Sequence, residues 1–183
     1  ALIKPMISGI KASFASVVHA KLHGAHTIPR TQRDMPITYV IGALIVLAIP
    51  LYLLVQHYTG LSVLGLSTWY HHGVRFLGVL FIIVAGFIFS SICAYFAGLV
   101  GSSTNPLSSM ALISLILASL LLVLGFGSSL ELGKIGPHSI AVAAIAIFTT
   151  SIITAAAAIS NDTIQDLKAG QMVGATPWKQ QFM

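Results

Sequence analysis

A chain of 183 residues that is 56% hydrophobic and 7% charged, with a mean hydropathy of +0.94, has too little polar surface to cover itself in water. That excludes an ordinary water-soluble domain and makes lipid its main solvent. The formal net charge of +5 and isoelectric point near 9.6 do not mark a nucleic-acid surface, because no basic patch is interleaved with aromatic residues.

The chain opens with a lead over 1–35. Ile3, Ile7, Ile10, Phe14, Val17 and Leu22 recur at helical spacing with Lys4, Lys11 and Lys21 around them. This pattern predicts an amphipathic helix on the cytoplasmic membrane surface, with a plain cytoplasmic connector as the alternative. The lead has neither the uninterrupted apolar core nor the small-residue cleavage site of a signal peptide. A chain that starts at Ala1 is expected to be a piece of a longer protein. His19, His23 and His26 share a helical face and read as an interfacial stripe.

Four long apolar runs follow, over 36–56, 74–100, 107–126 and 140–160. Each holds the roughly 20 mainly apolar residues that cross a ~30 Å hydrocarbon core. The expected fold is an all-α membrane protein, a bundle of four transmembrane helices forming a membrane domain over 36–160. Pro36 suits the first turn of the first span, whereas Pro50 lies deep within it and predicts a kink. This span is bulky and aliphatic, so it suits a lipid-facing position. In the outer loop from His57 to Gly73, Trp69 and Tyr70 are placed for a membrane interface. His57, His71 and His72 have no carboxylate or cysteine among them, and no metal site or cofactor is expected. Cys93 stands alone inside the second span and reads as packing.

Small residues recur every fourth position in the second span, at Gly86, Ser90, Ala94 and Gly98, and in the fourth, at Ala146, Thr150, Thr154 and Ala158. In lipid such stripes let helix backbones approach closely, so both spans are expected to face other helices. Lys4, Lys11, Lys21, Arg30 and Arg33 precede the spans, and Lys168 and Lys179 follow them, so seven of the nine basic residues lie on one side. The positive-inside bias makes that side the cytoplasm and places both ends of the chain there.

Two polar segments carry the chemistry. The first is Gly98-Leu99-Val100-Gly101-Ser102-Ser103-Thr104-Asn105-Pro106, continuing through Ser108 into the third span. Asn105 reads as an N-cap and Pro106 as a first-turn residue. One reading is a tight helix-helix turn. The other is a broken-helix segment at membrane depth, where irregular backbone survives only if it lines a protein-enclosed or wet cavity. On the second reading Gly101, Ser102, Ser103, Thr104, Asn105, Pro106 and Ser108 line a substrate path. The second segment is the tail over 161–183, where Asp162 and Gln165 resemble a capping box and Asp162 and Asp166 share a helix face. It reads either as a capped cytoplasmic helix ending at Gly170 or, since Asp162 extends the stripe of span four, as an ionisable group facing the bundle. Asp162, Gln165, Asp166 and Lys168 are then coupling or gating candidates.

Arg30-Thr31-Gln32-Arg33-Asp34-Met35-Pro36-Ile37, the Gly98–Pro106 run, Asn161-Asp162-Thr163-Ile164-Gln165-Asp166-Leu167-Lys168 and Gly174-Ala175-Thr176-Pro177-Trp178-Lys179-Gln180-Gln181 together resemble the oligopeptide transporter superfamily, particularly its bacterial members. That superfamily also contains yellow stripe-like metal-chelate carriers. The resemblance covers almost the whole chain, as an internal piece of a many-helix protein. Two departures stand out: Ser108-Ser109-Met110-Ala111 replaces a common Ser-Gly-Met-Thr, and Asn161-Asp162 replaces a common Gly-Asp.

The resemblance implies part of a secondary active, proton-coupled symporter for oligopeptides or peptide-like metal chelates, multi-pass in a bacterial inner membrane. Its partners would be lipid, the remaining helices, solute and protons, with no nucleic acid. The alternative is a non-transporting four-span scaffold or assembly protein. An enzyme is not expected: the carboxylates are Asp34, Glu131, Asp162 and Asp166, none beside a histidine, and no nucleophile motif or phosphate loop is present.

Overall fold

A chain in hydrocarbon must pair each backbone N–H and C=O within its own segment, so apolar runs of this length become helices. The computed structural model describes residues 7–8, 11–12, 15, 30–58, 68–126 and 136–182, and the regular structure among them is helical throughout. The helices are α1 (Ile37–Tyr58), α2 (Thr68–Val100), α3 (Leu107–Phe126), α4 (Pro137–Met172) and α5 (Pro177–Phe182), with 3-10 turns at Arg30–Gln32 and Ser102–Thr104. Windows in α1 to α4, at Ile37–His57, His72–Val100, Leu107–Gly125 and Ser139–Met172, are long and apolar enough to cross a membrane. The histidine trio, most of the lead expected to be amphipathic, and Glu131 and Lys134 lie outside the described residues.

Two boundaries differ from those read in the sequence. Helix α2 begins at Thr68, so His71 and His72 belong to its first turns and not to a loop. Helix α4 does not stop near Ser160. It continues unbroken to Met172, 36 residues in all, or about 54 Å at 1.5 Å per residue, well beyond a ~30 Å core. The capping-box pattern at Asp162 and Gln165 therefore opens no helix. Thr163 Oγ1 donates to the Ile159 carbonyl at 2.8 Å, back along the helix, so its hydroxyl is spent without interrupting the ladder. Pro50 removes the bond that the Val46 carbonyl would accept, yet α1 carries on to Tyr58.

Helix α4 packs against both α2 and α3, and α2 also touches α1. Buried Ala85, Phe89, Cys93 and Ala97 of α2 share a helix face, as do Thr149, Ile153, Ala157 and Asn161 of α4. Both faces lie one residue earlier than the stripes of the sequence reading. Gly86 and Ala146 are buried, but Ser90, Ala94, Thr150, Thr154 and Ala158 are half-buried and Gly98 is exposed. A run of fours drifts about 40° per step around a 3.6-residue helix, so small residues alone do not fix the contact face. The face chosen mixes large side chains, Phe89 and Ile153, which supply dispersion contacts, with Cys93 and Ala157, which admit close approach. On α3 the buried pair is Ser114 and Ala118, again small. Helix α1 joins the core through Val55, with Leu51 and Tyr52 beside it, and Tyr52 Oη lies 2.6 Å from His72 Nδ1. Its remaining large side chains are mostly exposed.

Candidate functional site

The connection between α2 and α3 is compact. The Gly101 N–H donates to the Ala97 carbonyl at 3.1 Å and closes α2, and Gly101 then takes φ 87°, open to glycine at no steric cost. Thr104 Oγ1 donates to the carbonyls of Val100 at 3.0 Å and Gly101 at 3.3 Å, and the Asn105 N–H donates to Ser102 at 3.2 Å. The segment thus folds as a turn that meets much of its own backbone demand.

The Asn105 side chain does not cap α3. Its Nδ2 donates instead to the Cys93 carbonyl at 3.0 Å and to Asn161 Oδ1 at 2.7 Å. Its Oδ1 is buried without a partner, so it accepts nothing from the first turn of α3. Asn161, 3% exposed, passes the chain on: its Nδ2 donates to Asp162 Oδ1 at 3.1 Å. One residue earlier, Ser160 Oγ donates to the Ser90 carbonyl at 3.0 Å. These part-buried hydrogen bonds tie α2, the turn and α4 into one polar joint in an apolar bundle.

The second meeting point is built by the end of α4. The Ala175 N–H donates to Gly170 at 2.8 Å and the Gly174 N–H to Gln171 at 3.2 Å, with Gly174 at φ 72°, a Schellman turn. Pro177 then starts α5. The turn and α5 are clasped to the segment ahead of α1. The Trp178 N–H donates to the Arg33 carbonyl at 3.0 Å, the Met35 N–H to Gln181 Oε1 at 2.8 Å, and Arg30 Nη2 to the Gly174 carbonyl at 3.4 Å. A Cβ on Gly170 would meet the end of the Gln180 side chain, which would have to move aside.

Beside this clasp lies an open groove of about 680 Å³. Thr31 and Asp34 come from the first of the four sequence blocks, and Ala97 and Gly98 from the end of α2 where the second begins. Ile164, Gln165, Leu167 and Lys168 come from the third, Pro177 and Gln181 from the fourth, and Gln171 from between the last two. Segments more than a hundred residues apart in the chain thus face one space.

The sequence-predicted residues divide around it. Gln165 and Lys168 line the groove. Asp162 is exposed, bonded to Asn161, and Asp166 is exposed; neither belongs to the lining. Gly101, Ser102, Ser103, Thr104, Pro106 and Ser108 form the turn and the start of α3, also outside the lining, with Ser103, Thr104 and Ser108 exposed. The sequence reading gave Asn161 no role, although it sits four residues after Ala157 in the buried face of α4. Nor did it give one to Asp34, Gln171 or Gln181, which appear in or beside the blocks as motif letters only. Among the described residues no cluster of three or more His, Cys, Asp or Glu side chains is placed to hold a metal ion.

No solved structure matches the chain. A curated protein of Haemophilus influenzae named "Putative oligopeptide transporter" is 34% identical over 182 residues, which is 98% of this chain and 28% of that protein. The chain therefore spans little more than a quarter of its relative's length. The family described as OPT oligopeptide transporter protein matches residues 1–183. With its four membrane-length helices and with the motif blocks gathered at one groove, the chain belongs to the OPT oligopeptide transporter family.

Proposed function

We propose that this segment forms part of the solute pathway of a secondary active, proton-coupled transporter for oligopeptides or peptide-like metal chelates, with no enzymatic step. The observation that carries the reading is the convergence of four separated sequence blocks on one groove beside membrane-length helices. On this reading Gln165 and Lys168 meet the solute at the groove. Asp162 is the acid that exchanges the coupling proton, joined to the turn through Asn161 and Asn105. Asp166, one helical turn away, lies on the same face as a gating residue. The turn residues Gly101 to Ser108 continue the pathway toward the rest of the protein.

The same proposal places the protein in a bacterial inner membrane, with lipid and the remaining helices as its surroundings and both ends of this segment in the cytoplasm. The basic residues Arg30, Arg33, Lys168 and Lys179 at one end of the bundle support that orientation. A cysteine at position 179 is expected to react with an impermeant thiol reagent in inside-out vesicles and not in intact cells; labelling from outside reverses the topology.

The transport reading is tested with the full-length protein in proteoliposomes. Radiolabelled peptide is expected to accumulate when a pH gradient is imposed and to fall to the protein-free level when the gradient is collapsed. Well-folded protein that takes up neither peptides nor chelates under either condition is a scaffold instead.

A further inference from the structure

The groove has a chemical character that narrows its ligand, on the reading that it is part of the solute pathway. Among the described residues its lining carries one acid, Asp34, and one base, Lys168, which balance each other formally. The two charges stand on different walls, Asp34 on the segment ahead of α1 and Lys168 on α4. Asp34 is exposed and has no ion-pair or hydrogen-bond partner among the described residues. Among the described residues Lys168 Nζ donates to a neutral group, Gln171 Oε1 at 3.1 Å, and an ammonium keeps further donors beyond that one.

Two of the lining amides have their oxygens engaged: Gln171 Oε1 accepts from Lys168 and Gln181 Oε1 accepts from the Met35 N–H, which leaves their NH₂ groups to donate. Those donors match peptide carbonyls. Ala97, Ile164, Leu167 and Pro177 give the apolar surface that a side chain needs. The volume, about 680 Å³, lies within the range of small-molecule sites.

We infer that this groove binds a short peptide in its zwitterionic form, with the α-ammonium at Asp34, the α-carboxylate at Lys168, and the Gln171 and Gln181 amides donating to carbonyls between them. A polyanionic chelate fits poorly, since one ammonium faces it and Asp34 repels it. Within the two solute classes of the transport reading, the groove selects peptides with both termini free.

The test is equilibrium binding of trialanine, N-acetyl-trialanine and trialanine amide to the purified full-length protein. Each cap removes one charge-assisted contact in a partly open site and is expected to raise Kd about five- to tenfold. Asp34→Asn is expected to weaken trialanine by the same factor and leave the N-acetyl peptide unchanged; Lys168→Gln should do this for the amide. The wild-type comparison of capped and free peptides needs no variant to fold. Capped peptides that bind as tightly as trialanine, variants that weaken all three ligands equally, or no trialanine binding at millimolar concentration would each overturn the assignment. Uptake that ignores the caps keeps the transport reading and removes this one, whereas terminus-selective binding without uptake does the reverse.

Discussion

Asn105 shows how one side chain changes role with its surroundings. Followed by a proline and an apolar run it has the look of a helix cap, but a cap spends its oxygen on nearby N–H groups. Here the nitrogen is used instead, reaching Cys93 and Asn161 across the bundle. Removing either amide strands a buried partner, at a cost of about 1–3 kcal/mol. Asn105→Ala and Asn161→Ala are each expected to lower the melting temperature of the full-length protein in detergent. The double variant should fall by less than the sum, because both singles break the same 2.7 Å bond; strict additivity would mean that the two amides do not meet. Gly174 offers a backbone counterpart. At φ 72° any other L-residue takes on about 1–2 kcal/mol of strain, so Gly174→Ala should destabilise the protein, while Ala175→Gly, one residue on, should not strain the turn.

Between elements, the contact of α2 with α4 is set by a graded face and not by small residues alone. Ala157, 1% exposed, lies beside the core formed with Cys93 and Ile153, whereas Ala155 is on the exposed side of the same helix. Ala157→Leu overpacks the contact and is expected to cost about 1–3 kcal/mol, seen as loss of folded protein in fluorescence-detected size-exclusion chromatography. Ala155→Leu makes the identical chemical change and should retain near wild-type recovery. Equal losses at both positions would show that the contact face has been assigned wrongly. The continuity of α4 belongs to this scale too. Ile164 and Leu167 keep helical spacing beyond Asp162, and the Thr163 hydroxyl bonds back to the Ile159 carbonyl without ending the helix.

At the level of the whole molecule, the segment before α1 and helix α5 close on each other, joining residues 144 to 146 positions apart. Arg33 and Trp178 are bonded through their backbones at 3.0 Å, so the two segments run side by side at this point. The paired variant Arg33→Cys and Trp178→Cys is expected to cross-link under mild oxidation in the full-length protein. A pair made from Ile45→Cys, on the exposed part of α1, with Trp178→Cys should not. Failure of the first pair to react would open the clasp and with it one wall of the groove.

Four spans, their helical nature and the residue blocks that mark the family were legible in the chain, because hydropathy over about 20 residues and the turn chemistry of glycine and proline act locally. Gly101, Gly174 and Pro177 do in the structure what their types foretell. The contact face of each helix was not legible, since rotation by one residue changes little in a uniformly apolar sequence and is decided by how two helices interlock. The destination of the Asn105 amide and the meeting of Asp34 and Lys168 in the lining of one groove depend on residues far apart in the chain. Such meetings exist only once packing has brought the segments together, so the tertiary structure alone decided them.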